Sequence, residues 1–398
     1  MNYINRNIAS RLDTFLKTGK SVLLLGARQT GKTTLLKQRP CDFYVSFIQP
    51  RERLRYELDP STLADEVIAL AEQSSTKPLV IVDEVQKVPA IMDVVQGLID
   101  DNVCQFVLTG SSARKLKHGA HINLLPGRLL PLRLSPLSFD ETPLLDKTLP
   151  DLLLFGALPE IVTTTNTDEK EMLLDAYVTL YLEEEIRTEA IVRNVANFAR
   201  FLELAASESG AIVNYSKLSQ VVGVAHTTIA EYYQILEDCL IVERIEPLIK
   251  SKTRRKLTKS NKYLLFDMGL RRLAAKEGVK LSNERMGQLF EQLIGLELVK
   301  QAQFYAEKIS IKYWRDADGP EVDWVIDKQD FYIPLEVKYT NNPKQSDAKH
   351  LKTFLKEYDN VEFAYVICQV PRKQKLFENI YAIPWQDLPS LFHSTNDL

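Results

Sequence analysis

The densest group of chemistry-bearing residues is Gly26-Ala27-Arg28-Gln29-Thr30-Gly31-Lys32-Thr33, with Thr34 directly after it. Two glycines spaced G-x-x-x-x-G-K-T let the backbone turn tightly enough for successive N–H groups to face one phosphate. Lys32 is placed to meet the β- and γ-phosphates, and the Thr33 hydroxyl to help hold Mg²⁺. Gly26, Gln29, Thr30, Gly31, Lys32, Thr33 and Thr34 are therefore the expected ATP contacts. A second signal lies about fifty residues on, where the apolar run Leu79-Val80-Ile81-Val82 ends in Asp83-Glu84. A carboxylate at the C-terminal end of a buried parallel strand sits where open α/β sheets bind ligands. Asp83 is expected to hold Mg²⁺, directly or through water. Glu84 is expected to accept a proton from the water that attacks the γ-phosphate. Cys104 to Thr109 forms a further apolar run ending in Thr109-Gly110-Ser111-Ser112, and Thr109 could sense the γ-phosphate or orient that water. Together these residues predict an ATPase.

Two further groups lie downstream. Lys250, Lys252, Arg254, Arg255, Lys256, Lys259 and Lys262 form a run of cations with no acidic residue among them. Such a run repels itself unless a polyanion neutralises it, which points to a nucleic-acid backbone. Further on, Glu321-Val-Asp323-Trp-Val-Ile326 is followed by Pro334-Leu-Glu336-Val-Lys338. Strand alternation puts Glu336 and Lys338 on one face. This Asp…Glu-x-Lys arrangement resembles the PD-(D/E)xK nuclease-like core. The resemblance implies that Asp323 and Glu336 bind Mg²⁺, with Glu291 from a preceding helix as an outer ligand and Lys338 meeting the phosphate.

Composition sets the frame. The chain has 398 residues, 45% apolar and 26% charged, with a net charge of −3. That length accommodates two or three domains with substantial cores. Cys41, Cys104, Cys239 and Cys368 are far apart and lack metal-ligand spacing, which argues against zinc and against a disulfide framework. No apolar run approaches membrane-spanning length and the first residues lack a signal-peptide pattern, so a cytoplasmic location is expected.

The elements that must position these residues follow from periodicity. Apolar strands alternate with helical segments through the first 165 residues, which predicts a parallel sheet with helices on both faces. The charged, periodic stretch Arg51 to Gln73 reads as one helical region. A polar break at Asn166 to Lys170 precedes a helical stretch from Glu171 to Arg187. Ser216 to Val222 and His226 to Asp238 read as two helices joined by Gly223, a helix-turn-helix. Ile241 to Ile245 and Lys262 to Phe266 read as strands flanking the basic segment, completing a winged helix. The second helix carries His226, Thr227, Thr228, Glu231, Tyr232 and Gln234 but no Arg or Lys, which favours structure-dependent over base-specific DNA binding. Lys276 to Ser282 reads as a linker, with a last α/β domain beyond it. The expected domains are 1–165, 166–282 and 283–398.

The phosphate loop, Asp83-Glu84, Leu108-Thr-Gly-Ser-Ser112, Leu125-Pro-Gly-Arg128 and Pro136-Leu-Ser-Phe-Asp-Glu141 together resemble a prokaryotic AAA+-type ATPase family. Phe155-Gly-Ala-Leu-Pro-Glu160 and Tyr181-Leu-Glu-Glu-Glu-Ile-Arg187 extend the resemblance, although the family more often has Arg-Asp where this chain has Glu184-Glu185. The resemblance covers nearly the whole chain and includes a C-terminal domain of unknown function. It implies a homo-oligomer, with six subunits as one candidate ring size, in which an arginine completes a neighbour's active site. Arg128 is the candidate. The overall expectation is an ATP-hydrolysing protein acting on branched or otherwise structured DNA. The rival expectation is a nucleotide-controlled switch or scaffold that binds a protein partner through a degenerate nuclease-like domain.

Overall fold

The computed structural model describes residues 3–112, 127–142, 148–182, 195–249, 257–305, 308–316 and 319–393. The chain forms two compact units, one of Met1–Pro136 with Gln234–Ile241, the other of Leu137–Tyr233 with Val242–Leu398.

The first unit is built on five parallel strands: β1 (Ser21–Leu25), β2 (Phe43–Ser46), β3 (Leu79–Asp83), β4 (Gln105–Gly110) and β5 (Leu129–Arg133). Their order is β2-β3-β4-β1-β5. The central strands read as continuous apolar runs because helices cover both faces of such a sheet; Val22, Leu24, Val80, Ile81, Val82, Phe106 and Leu108 are all fully buried. The helices are α1 (Ile8–Lys17), α2 (Lys32–Lys37), α3 (Pro50–Leu58), α4 (Thr62–Gln73) and α5 (Ile91–Asp100). The stretch expected as one helical region from Arg51 to Gln73 is thus two helices. Pro60 disfavours a helical Asp59, which is extended at φ −145°. The Asp59 carboxylate then accepts the Ser61 N–H at 3.0 Å, and the next helix begins.

The second unit opens with α6 (Leu149–Phe155), α7 (Pro159–Thr163) and α8 (Thr167–Ala176). Asn166, expected in a break, caps α8 by accepting the N–H groups of Asp168 and Glu169. Then come α9 (Val195–Ser207), α10 (Tyr215–Val222) and α11 (His226–Asp238), whose last residues count with the first unit. Gly223 ends α10 in the left-handed conformation, at φ +80°. The hairpin β6 (Val242–Pro247) and β7 (Lys262–Leu265) follows, with α12 (Met268–Ala274) and the 22-residue α13 (Asn283–Phe304). The remaining elements are β8 (Ser310–Arg315), β9 (Glu321–Asp327), β10 (Tyr332–Val337), α14 (Lys349–Glu357), β11 (Ala364–Cys368), β12 (Gln374–Phe377) and β13 (Ile380–Pro384).

Eight strands form one sheet in the order β12-β13-β11-β10-β9-β8-β6-β7. Leu289, Phe290, Leu293 and Ile294 of α13 cluster with Trp324, Ile326 and Leu335 of the sheet. A Cβ on Gly295 would lie 2.4 Å from the Trp324 ring, so this helix position admits only glycine. Leu351 and Phe354 of α14 cluster with Trp314, Val325 and Val366. The hairpin does not stand apart: β6 pairs in parallel with β8 at Glu246–Lys312 and Pro247–Tyr313. The division expected at 282/283 therefore does not separate two sheets.

Candidate active site

β1 delivers the phosphate loop. Gly26 rests against the next strand's exit, where a Cβ would lie 2.4 Å from the Leu134 carbonyl oxygen. Gly31 closes the loop at φ +96° and starts α2. Buried Arg6 braces the turn, with Nη1 donating to the Thr30 carbonyl at 2.6 Å and Nη2 to that of Ser135 at 2.7 Å. The Thr30 hydroxyl donates to the Ala27 carbonyl at 2.8 Å, so Thr30 holds the shape of the loop.

Lys32, in the first turn of α2, is almost fully buried. Its Nζ donates to the Gly26 and Ala27 carbonyls at 2.8 and 3.1 Å and lies 3.7 Å from Glu84 Oε1. Burial pushes its pKa below the usual lysine value, partly countered by Glu84 and Asp83.

Asp83 is the hub of the site. Its Oδ2 accepts hydrogen bonds from Thr33 Oγ1 at 2.8 Å, Tyr44 OH at 3.1 Å and Ser46 Oγ at 3.3 Å. Its Oδ1 accepts from Thr109 Oγ1 at 2.5 Å. The same Thr109 oxygen accepts the Glu84 N–H at 2.9 Å. Thr109, expected at the γ-phosphate, is fully buried and ties Asp83 to Glu84. Glu84 adopts φ +60°, a left-handed backbone uncommon outside glycine, asparagine and aspartate. Its Oε2 accepts from Gln86 Nε2 at 2.5 Å and Ser111 Oγ at 3.0 Å. Two buried partners thus aim the carboxylate while Oε1 faces Lys32.

A cavity of about 350 Å³ opens over this group, lined by Arg28, Gln29, Gly31, Lys32, Thr33, Thr34, Ile48, Glu84 and Lys87. Its volume falls in the range of small-molecule sites. Arg128 engages elsewhere in the same unit: Nε and Nη2 donate to the Asp100 carboxylate, the latter at 2.9 Å. Five contributors escape a reading of the sequence: Arg6, Tyr44, Ser46, Gln86 and Ser111. Tyr44 and Ser46 alternate on β2 beside β3, so strand periodicity is the available signal. Ser111 lies within the Thr-Gly-Ser-Ser strand end.

The second unit holds the other expected site. Lys338 Nζ donates to Glu336 Oε1 at 2.8 Å, and Asp323 Oδ2 accepts the Val337 N–H at 2.8 Å. Burial, then the charges of Glu291 and Glu336, raise the Asp323 pKa well above the usual carboxylate range. Glu291 bonds instead to Lys262, whose Nζ lies 3.1 Å from Glu291 Oε1 and 3.5 Å from Glu321 Oε1. Among the described residues, no three or more His, Cys, Asp or Glu side chains are grouped to hold a metal ion. Lys262, counted in the basic run expected to meet a nucleic-acid backbone, is instead buried, with only 2% of it exposed. The pairing of β7 with β6 carries it under α13. Lys259 is exposed, whereas Lys250, Lys252, Arg254, Arg255 and Lys256 lie outside the described residues.

Around the helix-turn-helix segment, Tyr232 packs on Phe198 and Phe201 at centroid distances of 4.8 and 5.3 Å. Tyr232, grouped with the polar residues of the second helix, therefore belongs to the core. His226, Thr227, Glu231 and Gln234 are exposed. Among the described residues, no helix is long and apolar enough to cross a membrane.

Three family models match successive parts of the chain. Residues 18–142 match an AAA domain, 146–285 a domain of unknown function (DUF8612) and 286–388 another (DUF4143). The chain is 26% identical over 383 residues to Rv2008c of Mycobacterium tuberculosis, covering 95% of this chain and 83% of that protein. It is 24% identical over 343 residues to MJ1637 of Methanocaldococcus jannaschii, covering 73% of this chain and 70% of that one. Cdc6p from Pyrobaculum aerophilum aligns over 73% of this chain and 96% of its own, at 14% identity and a TM-score of 0.28. Drosophila ORC bound to DNA aligns over 67% and 84%, at 13% identity and a TM-score of 0.23. Scores this low do not amount to superposable folds. The match of residues 18–142 to the AAA domain, joined to the loop geometry, supports a P-loop AAA-type ATPase.

Proposed function

We propose that the protein hydrolyses ATP at the loop of the first unit and couples the cycle to structured DNA. One observation carries the hydrolytic reading: Lys32, Thr33, Asp83 and Glu84 converge at the strand ends, with Lys32 Nζ 3.7 Å from Glu84 and Thr33 bonded to Asp83 at 2.8 Å. The donor set suits Mg²⁺, since a hydroxyl and a carboxylate are both hard oxygen ligands. Thr33 and Asp83 would hold that ion, which when bound neutralises phosphate charge.

The remaining chemistry belongs to the chain. Backbone N–H groups of the loop and the start of α2 receive the phosphates, and Gln29 and Thr34 flank them. Lys32 exchanges its carbonyl partners for phosphate oxygens and stabilises charge that builds in the transition state. Glu84, aimed by Gln86 and Ser111, accepts a proton from the attacking water. Thr109 fixes Asp83 and Glu84 relative to one another. Arg128 is assigned to a neighbouring subunit's site in a homo-oligomer; it must leave Asp100 to act there, and exposed pairs of that kind are weak.

The basic segment supports the DNA reading. Five cations lie between positions 250 and 256, Lys259 is exposed, and the segment connects the two strands of the hairpin after the helix-turn-helix. The exposed face of α11 lacks Arg and Lys, which favours backbone and shape over base reading. ATP turnover measured across salt concentrations with single-stranded, duplex and branched DNA tests the coupling. Stimulation that weakens with salt is expected, and turnover indifferent to every DNA would favour the switch or scaffold.

A further inference from the structure

Lys262 sits in a cage. Its Nζ lies 3.1 Å from Glu291 Oε1, 3.5 Å from Glu321 Oε1 and 5.0 Å from the ring centroids of both Tyr313 and Trp324. The approach is fixed by main-chain pairing, because Lys262 is opposite Ile245 in the hairpin and bridges Ile212 on its other side. Two carboxylates and two aromatic faces at these distances suit an ammonium ion. The aromatic faces offer no oxygen to Mg²⁺, which demands oxygen ligands near 2.0–2.1 Å in octahedral array.

Further carboxylate oxygens of the cluster are engaged by the chain's own groups. Arg315 Nη1 lies 3.2 Å from Glu321 Oε2, Lys338 holds Glu336 Oε1, and the Val337 N–H holds Asp323 Oδ2. Among the described residues, buried Glu336 Oε2 has no hydrogen-bond partner, a single oxygen where a divalent ion takes about six.

We infer that this cluster is neutralised by lysine in place of a divalent metal, and that Lys262 fastens the β6–β7 hairpin to the C-terminal sheet. Glu291, the outer ligand of the expected nuclease arrangement, is committed to the hairpin lysine. The residues present therefore do not fit a nuclease metal centre. Movement of the hairpin must carry the C-terminal sheet with it, since β6 pairs with β8 and the Lys262 cage ties β7 to α13, β8 and β9. The inference is independent of ATP hydrolysis.

The test uses the full chain in an Asp83→Asn background, without nucleotide, so that the loop's carboxylate is not counted. Bound Mn²⁺ is read by electron paramagnetic resonance and the unfolding midpoint by calorimetry. The expected result is the same free Mn²⁺ signal for the background protein and for added Asp323→Asn or Glu336→Gln. Lys262→Met is expected to lower the midpoint of the second unit, because it leaves the half-buried carboxylates of Glu291 and Glu321 without their cation. Lys262→Met with Glu291→Gln should recover part of that loss. Mn²⁺ bound by the background protein and released by Asp323→Asn or Glu336→Gln would overturn the inference. A midpoint unchanged by Lys262→Met would also overturn it. If Lys262→Met alone fails to fold, the Mn²⁺ comparison and the paired variant still decide.

Discussion

Thr33 and Asp83 stand fifty positions apart in sequence, and the Thr33 hydroxyl donates to Asp83 Oδ2 at 2.8 Å. They meet because α2 begins at the C-terminal end of β1 and Asp83 ends β3, on the same edge of a parallel sheet. Asp83→Asn should remove the Mg²⁺-dependent part of nucleotide affinity while leaving the Mg²⁺-free part. Fluorescence titration with a labelled nucleotide, with Mg²⁺ and with chelator, measures both. Equal loss in the two conditions would mean that Asp83 holds the loop and not the ion.

Thr109→Val keeps the volume but removes the donor to Asp83 and the acceptor of the Glu84 N–H. Leaving a buried N–H and a buried carboxylate oxygen short of partners costs about 1–3 kcal/mol per group. Stability should fall by that order, and kcat should drop with KM little changed. Thr109→Ser, which retains the hydroxyl, should restore most of both. Chemical denaturation and steady-state rates check the pair.

How much of the site is legible in the sequence depends on the range of the signal. The phosphate loop and Asp83 can be read because each is a contiguous motif at the end of a buried strand. Gln86 and Ser111 around Glu84 cannot, because their bonds depend on how the short turn Val85–Lys87 and the end of β4 meet across positions 84–111. Charge alone groups Lys262 with Lys250 to Lys259. Its burial follows from the register of β7 against β6, which no local pattern specifies. Tyr232 misleads for the same reason: a helix face is assigned by its neighbours, here Phe198 and Phe201. The two helices between Pro50 and Gln73 are separable in the sequence, since Pro60 marks the break.

Glu297 is fully buried on α13, where Oε1 accepts the Phe139 N–H at 3.0 Å and Gln301 Nε2 at 2.8 Å. Burial raises its pKa from 4.5 to about 7, with Lys300 opposing. A carboxyl that binds its proton more tightly when folded contributes stability that is full below pH 4.5 and is lost as pH rises through about 7. Glu297→Gln should therefore be more stable than the parent at pH 8, and the difference should shrink below pH 5. Denaturation midpoints at both pH values check the sign. A parent that gains stability across this window relative to Glu297→Gln would contradict the assignment.

Neutralising Lys252, Arg254, Arg255 and Lys256 together should flatten the dependence of log DNA affinity on log salt. The slope should shrink by roughly 0.9 for every duplex phosphate that the protein no longer neutralises. Fluorescence anisotropy over a salt series gives the slope, and an unchanged value would place the DNA interface elsewhere. Lys262→Gln should leave the slope alone, because that lysine is buried against Glu291.

The most direct measurement is phosphate release at saturating Mg²⁺ and ATP by the wild type and by Glu84→Gln, with ATP binding followed in parallel. Gln86 and Ser111 hold the Glu84 side chain in place, so the amide should keep the geometry while losing the base. The expected result is unchanged ATP affinity with turnover lowered by about 10²–10⁴-fold. Turnover of Glu84→Gln within about twofold of the wild type, or a wild type that binds ATP and releases no phosphate with or without DNA, would contradict the account.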